Sequence, residues 1–170
     1  MISDKMQKAI NEQINAELHS AYLYMSMAAY LKSLNLEGAE HWMRLQVQEE
    51  LMHATKFYDY LNLAGGRVLF APIPAVATEW KSPQAAFEAA YAHEQGITKR
   101  IANLVTVAAD EKDHGAGIML QWFVTEQVEE EANVDAIIRK LKLVGEAGPG
   151  LYWIDRELMT RALTPAGGAA

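Results

Sequence analysis

The chain has no cysteine, which excludes a disulfide framework and any thiolate site, so a transition metal could be held only through oxygen and nitrogen ligands. Proline is scarce, five in 170 residues, and none falls between residues 1 and 71 or between 84 and 148. Two long stretches are thus free of the strongest helix breaker. No run approaches the about 20 uninterrupted apolar residues of a membrane span. Met1 to Glu12 is polar from its start, without the apolar core of a signal peptide, so the expectation is a cytoplasmic protein with no membrane partner. Positive charge is in deficit, 15 Lys and Arg against 22 Asp and Glu for a net charge of −7. That balance disfavours a nucleic-acid partner and suits attraction of cations.

What the chain has is helix. Its length suits a single domain covering residues 1–170, and its apolar positions, rich in Ala and Leu, recur in steps of three and four. A first helix is expected from about Asp4 to Leu34, capped by Ser3 or Asp4, with an inner stripe of Ile10, Ile14, Glu17, Ala21, Tyr24, Ala28 and Leu31. A second runs from about Glu37 to Leu63 and stops at Gly65 and Gly66. Pro83 at the first turn after Ser82 opens a third, to about Ala109. A fourth spans about Asp113 to Val144, and a short fifth about Leu151 to Leu163, leaving the small-residue tail Thr164 to Ala170, which is expected to be disordered. The short turn between the first two helices makes them antiparallel neighbours. The link from Gly65 to Ser82 is far longer than the about 2 to 8 residues usual between bundle helices. The expected fold is therefore an all-α four-helix bundle with a long crossover between helices two and three and a short fifth helix.

Every long stripe carries acid at mid-length. The first has Glu17, the second Glu50 with His53 three residues on, the third Glu94, and the fourth Gln127 and Glu130. Counting outward from each turn sets Glu17 level with His53, and Glu94 level with Gln127 and Glu130. A lone Glu-x-x-His is common on helices. Four carboxylates at one height in a core would repel one another and carry a desolvation cost that cations or protons must relieve. Two ions bridged by one carboxylate, with Glu50 the natural bridge, would do so, and hard oxygen ligands with one imidazole suit iron or manganese. Beside this set stand Glu49, Glu126, Glu129 and Glu131, either an adjacent, more exposed cation site or a solvated acidic face. His19, His41, His93 and His114 lack partners at suggestive spacing, although His93 adjoins Glu94.

Taken in order, Asn15-Ala16-Glu17 with Tyr24, Gln48-Glu49-Glu50 with His53, Tyr91-Ala92-His93-Glu94-Gln95, the run from Gln121 to Glu131, and Gly150-Leu151-Tyr152-Trp153-Ile154 resemble the non-haem bacterial ferritins. The resemblance extends to about Leu163. It implies a ferritin-like subunit of a 24-subunit octahedral shell that takes up Fe(II), oxidises it with dioxygen or hydrogen peroxide at a di-iron ferroxidase centre, and stores it as ferric mineral. It further implies that Glu17, Glu50 and His53 hold one iron with Glu50 bridging, and that Glu94 and Glu130 hold the second with Gln127 nearby as a polar neighbour or weak ligand. Glu49, Glu126, Glu129 and Glu130 would form a third iron site, and Tyr24 would be a redox-capable or hydrogen-bonding neighbour. Haem-containing bacterioferritins resemble the same fold but carry a second Glu-x-x-His in the fourth helix, where this chain has Gln127-Val128-Glu129-Glu130. Their haem-ligating methionine corresponds to Leu51, with Met52 one residue out of place, so no haem is expected. Rubrerythrin-like peroxidases need a cysteine-bound iron. The remaining alternative is a structural bundle that nucleates mineral without oxidising iron.

Overall fold

A computed structural model describes residues 2–145 and 148–163. Its elements are five helices: α1 (Asp4–Ser33), α2 (Glu37–Leu63), α3 (Pro83–Asp110), α4 (His114–Val144) and α5 (Pro149–Leu158). Side chains start three of them. Ser3 accepts from the Met6 amide, Ser82 from the Ala85 amide with Pro83 following, and Asp113 from the Ala116 amide, each satisfying a donor the helix itself cannot. α2 ends with Gly65 at φ 79° and the Gly66 amide bonded back to Leu61 at 2.9 Å, the backward-bonded helix stop that a positive-φ residue permits.

The bundle core is split into two apolar clusters. One gathers Tyr24, Met27 and Leu31 of α1, Trp42 and Met43 of α2, Phe87 and Ala90 of α3, and Val134 to Leu141 of α4, with Ile154 and Leu158 of α5. The other gathers Met6 and Ile10, Phe57 and Leu61, Ile101 and Leu104, and Leu120 and Phe123. The start of α2 and the start of α3 both lie in the first cluster, and their ends both lie in the second. The two helices are parallel, and the chain between them must return along the bundle's full length.

That return follows α1 step by step. Gln7 Oε1 accepts from the Arg67 amide, Asn11 Nδ2 donates to Arg67 O while its Oδ1 accepts from the Leu69 amide, and Ser26 Oγ donates to Ala77 O. Tyr30 then meets Trp80. Polar groups on the outer face of α1 thus satisfy a connection that has no secondary structure of its own.

α5 begins at Pro149 and ends at Leu158, earlier at both ends than the apolar pattern predicts. Proline fixes the backbone angle of a first helical turn, and beyond Thr160 the chain turns so that Arg161 reaches α2. α5 docks on the start of α2, which has no side-chain cap of its own, and Asp155 Oδ1 accepts from the Ala39 amide at 2.8 Å. A Cβ at Gly38 would stand 1.6 Å from Asp155 O, so only glycine lets the two backbones meet there. The tail 164–170 lies outside the described residues. Among those described, no helix is long and apolar enough to cross a membrane.

Candidate metal centre

Between the two apolar clusters lies one polar layer. Glu17, Glu50 and Glu94 are each 1 % exposed, and His53, Gln127 and Glu130 3 %, so every long helix contributes acid to a deeply buried region. One ligand atom from each of Glu17, Glu50 and His53 lies within 4.8 Å of the others. Register explains the meeting. Glu50 and His53 share a face one turn apart, with 3.5 Å between His53 Nδ1 and Glu50 Oε2, and the hairpin brings Glu17 to their height.

The second half of the layer is tied by hydrogen bonds. Gln127 Nε2 donates to Glu94 Oε2 at 3.1 Å, Tyr24 OH donates closely to Glu94 Oε1, and Gln46 Nε2 donates to Glu130 Oε2 at 2.9 Å. His53 packs edge-on against both Trp122 and Phe123, with ring centroids at 5.5 and 5.8 Å.

Burial sets the charge state. Desolvation pushes Glu17 up to about 7, against the donor Gln13, and Glu130 up to about 8, with the charge of Glu94 adding to it. Glu50 is driven well above the usual carboxylate range by desolvation and by the charges of Glu94, Glu17 and Glu130, and Glu94 is raised by burial. Desolvation holds His53 down at about 4, so its imidazole is neutral near pH 7 and free to act as a ligand. Without a cation the layer keeps protons that a surface carboxylate would have shed.

Two buried carboxylate oxygens here, Glu17 Oε2 and Glu50 Oε2, receive no donor from any other side chain; what remains to the two groups is the proton they share with each other. An unpaired buried carboxylate oxygen is costly. A hard cation between them supplies what protein groups do not, so the residues present fit a pair of iron ions.

A second group, His53, Glu126 and Glu130, also brings ligand atoms within 4.8 Å of one another, on the wall of a cleft of about 1090 Å³ between α2, α4 and the end of α5. Glu129 lines the same cleft but lies outside that group, on the exposed side of α4. Glu49, also outside it, is taken by Arg161 Nη2 at 2.6 Å. Glu131 turns toward α3, where Thr98 Oγ1 donates to it at 2.6 Å, and so leaves the acidic face that its neighbours share. Leu51, between Glu50 and His53 in sequence, is 45 % exposed. His93 meets Ser20 Oγ at 2.7 Å and lies edge-on to Tyr24, behind the ligand layer.

Three contributors were not legible as such. Gln13, 1 % exposed, donates from Nε2 to Glu17 Oε1 at 2.7 Å, and Arg100 Nε donates to Gln13 Oε1 at 3.1 Å. Gln46, buried on α2, is the third, through its bond to Glu130. A spacing marks both amides, since Gln13 precedes Glu17 and Gln46 precedes Glu50 by one i, i+4 step.

Residues 7–144 match the family model for the ferritin-like domain. The chain is 44% identical over 161 residues to a "Bacterial non-heme ferritin" of Bacteroides fragilis (strain 638R), covering 95% of this chain and 100% of that one. It is 39% identical over 160 residues to a protein of the same name in Escherichia coli O6:H1, covering 94% and 97%. Among solved structures, an open-pore ferritin from the hyperthermophilic archaeon Archaeoglobus fulgidus superposes with a TM-score of 0.94 at 51% identity, covering 95% of this chain and 99% of that one.

Proposed function

The chain belongs to the ferritin family, among its bacterial non-haem members, and from that premise we propose that its polar layer is the place where Fe(II) is bound in pairs and oxidised. It is an iron-storage protein with ferroxidase activity. Glu17, Glu50 and His53 hold one iron, Glu94 and Glu130 the other, with Glu50 reaching both and Gln127 and Tyr24 orienting Glu94. Glu49, Glu126, Glu129 and Glu130 form an outer site along the cleft. The observation that carries this reading is the pair of facing oxygens on Glu17 and Glu50, which no other side chain donates to, inside a buried layer of four glutamates.

The substrate is Fe(II), and the oxidant dioxygen or hydrogen peroxide. Two Fe(II) surrender one electron each. Dioxygen with two protons then leaves as hydrogen peroxide, or hydrogen peroxide with two protons leaves as two waters. The protein's part is to place the ions and manage charge. Cations displace the protons held by Glu17, Glu50 and Glu130, and neutral His53 binds without first losing one. Ionised glutamates stabilise the higher charge of the ferric product better than that of the ferrous substrate, which favours oxidation over return.

The ferric product is stored as mineral inside a homo-oligomeric shell, and we assign that shell 24 subunits in octahedral symmetry. The A. fulgidus structures include an open-pore ferritin and a closed form engineered by mutagenesis, so the geometry of closure is a property to measure. The cytoplasm, where Fe(II) is kept reduced, is the compartment that supplies the substrate.

Anaerobic Fe(II) loading followed by aerobic mixing, read at the ferric-oxo absorbance, tests the reading. A fast phase saturating at about two irons per chain is expected, and it should vanish in Glu50→Ala and His53→Ala with the shell intact. A wild-type protein without a fast phase would instead be a mineral-nucleating scaffold.

A further inference from the structure

Glu49 is 6 % exposed and lines the same cleft as His53, Glu126 and Glu130, yet one of its two oxygens is already held by a cation of the chain itself. Arg161, beyond the end of α5, donates from Nη2 to Glu49 Oε2 at 2.6 Å and from Nη1 to Trp42 O at 3.3 Å. Its guanidinium lies 4.4 Å from the centre of the Trp42 ring, and its carbonyl meets His41 Nε2 at 2.9 Å. Among the described residues, Glu126 and Glu129 make no ion pair. The ion pair among the outer carboxylates is therefore Arg161 with Glu49, and its cation is carried on the segment that follows α5; the cleft's other nearby cation, Lys56, lies over the Trp122 ring at 4.1 Å and acts on Glu126 through its charge without pairing with it.

An unpaired carboxylate as buried as Glu49 carries a heavy desolvation cost, which a planar, weakly hydrated guanidinium stacked on an indole offsets well. The other anchors of Arg161 are a backbone carbonyl, an aromatic face and a histidine. None is an anion that would hold the guanidinium beside an arriving metal ion, and two cations sharing Glu49 would repel each other.

We propose that Arg161 is a built-in counter-cation of the outer site: it occupies Glu49 while no metal is present, and a cation held by Glu126 and Glu130 gains Glu49 only by displacing it. Filling of the outer site is thereby coupled to release of Arg161 from Trp42. This rests on the reading of the outer carboxylates as a cation site, and it assigns to the chain's own C-terminal segment the control of that site's affinity.

The test is calorimetric titration of the iron-free assembled protein with Zn2+, a cation that binds such ligands without redox chemistry, together with tryptophan emission. The outer class of sites is the one lost in Glu126→Gln. Arg161→Gln is expected to bind Zn2+ in that class about tenfold more tightly than wild type, with the Glu17, Glu50 and His53 site unchanged. Arg161→Lys keeps the charge without the fork and should fall between the two, which separates loss of charge from loss of packing. In wild type, filling the outer class should change an emission component that is absent in Trp42→Phe and insensitive to Zn2+ in Arg161→Gln. Outer-class affinity unchanged or weakened in Arg161→Gln, a lysine variant matching the glutamine one, or a Trp42 signal indifferent to Zn2+ would overturn the role of Arg161 while leaving the outer site standing. A wild-type protein with no outer class at all would overturn both.

Discussion

Gln13 Nε2 donates to Glu17 Oε1 at 2.7 Å, while Oε2 of the same carboxylate receives no donor from outside the Glu17–Glu50 pair. One oxygen is fixed and the other is left facing the layer, which is how a ligand is oriented before its metal arrives. Arg100, by donating to Gln13 Oε1, decides which end of the amide faces Glu17. Gln13→Leu should therefore keep the fold and lower inner-class Zn2+ affinity by about ten- to a hundredfold. Calorimetry checks this, and unchanged affinity would show that packing alone aims Glu17.

The protons held in the layer give stability a pH dependence of definite sign. Unfolded carboxylates have lost their protons well below neutrality, whereas folded Glu17 keeps its proton to about 7 and Glu130 to about 8. The folded state binds more protons across that interval, so stability falls as pH rises through it. His53 and His93, lowered from 6.5 to about 4, act in the opposite sense, but only below 6.5. The metal-free protein should thus lose melting temperature between about pH 6.5 and 8, and saturating Zn2+ should reverse the trend, since metal replaces the protons. Thermal scans across that range decide it; a melting temperature that climbs without metal would contradict the charge state assigned to the layer.

Gly38 is where α2 and α5 touch through their backbones. Gly38→Ala places a methyl carbon 1.6 Å from Asp155 O, which no rotamer relieves. A loss of about 1 to 3 kcal/mol is expected, with α5 shifted and the fast iron phase kept, because the inner ligands lie on α1 to α4. Denaturant titration beside stopped-flow oxidation checks both halves.

Phe57 and Phe123 stack with centroids 4.0 Å apart directly beside His53, at exposures of 0 and 1 %. Phe57→Ala should cost about 3 to 5 kcal/mol and loosen the wall that positions the imidazole. Unfolding measurements give the first effect; a weaker inner-class Zn2+ affinity gives the second, and an unaltered stability would argue against a close-packed cluster there.

The helical period carried much of this into the sequence. Glu17, Glu50, Glu94 and Glu130 each interrupt an apolar stripe, and a charge on a buried face needs a reason, so the stripes revealed the layer before any coordinates did. The period was silent on Gln13, a polar residue beside the stripe that is 1 % exposed and is bonded by Arg100 from α3. It was equally silent on Arg161, which is 112 residues from Glu49 and meets it only after α5 has docked. Glu131 showed the converse. It belongs to an acidic run in sequence, yet one helical step turns it toward Thr98 and away from the cleft.

The central claim is that Glu17, Glu50, His53, Glu94 and Glu130 enclose two iron ions in one subunit. Anomalous diffraction at the iron edge from an Fe(II)-soaked crystal measures it directly. Two peaks about 3.5 to 4 Å apart, bridged by Glu50, with Glu17 and His53 on one and Glu94 and Glu130 on the other, are the predicted result. A layer without anomalous density, its glutamates bonded only to one another and to water, would contradict it.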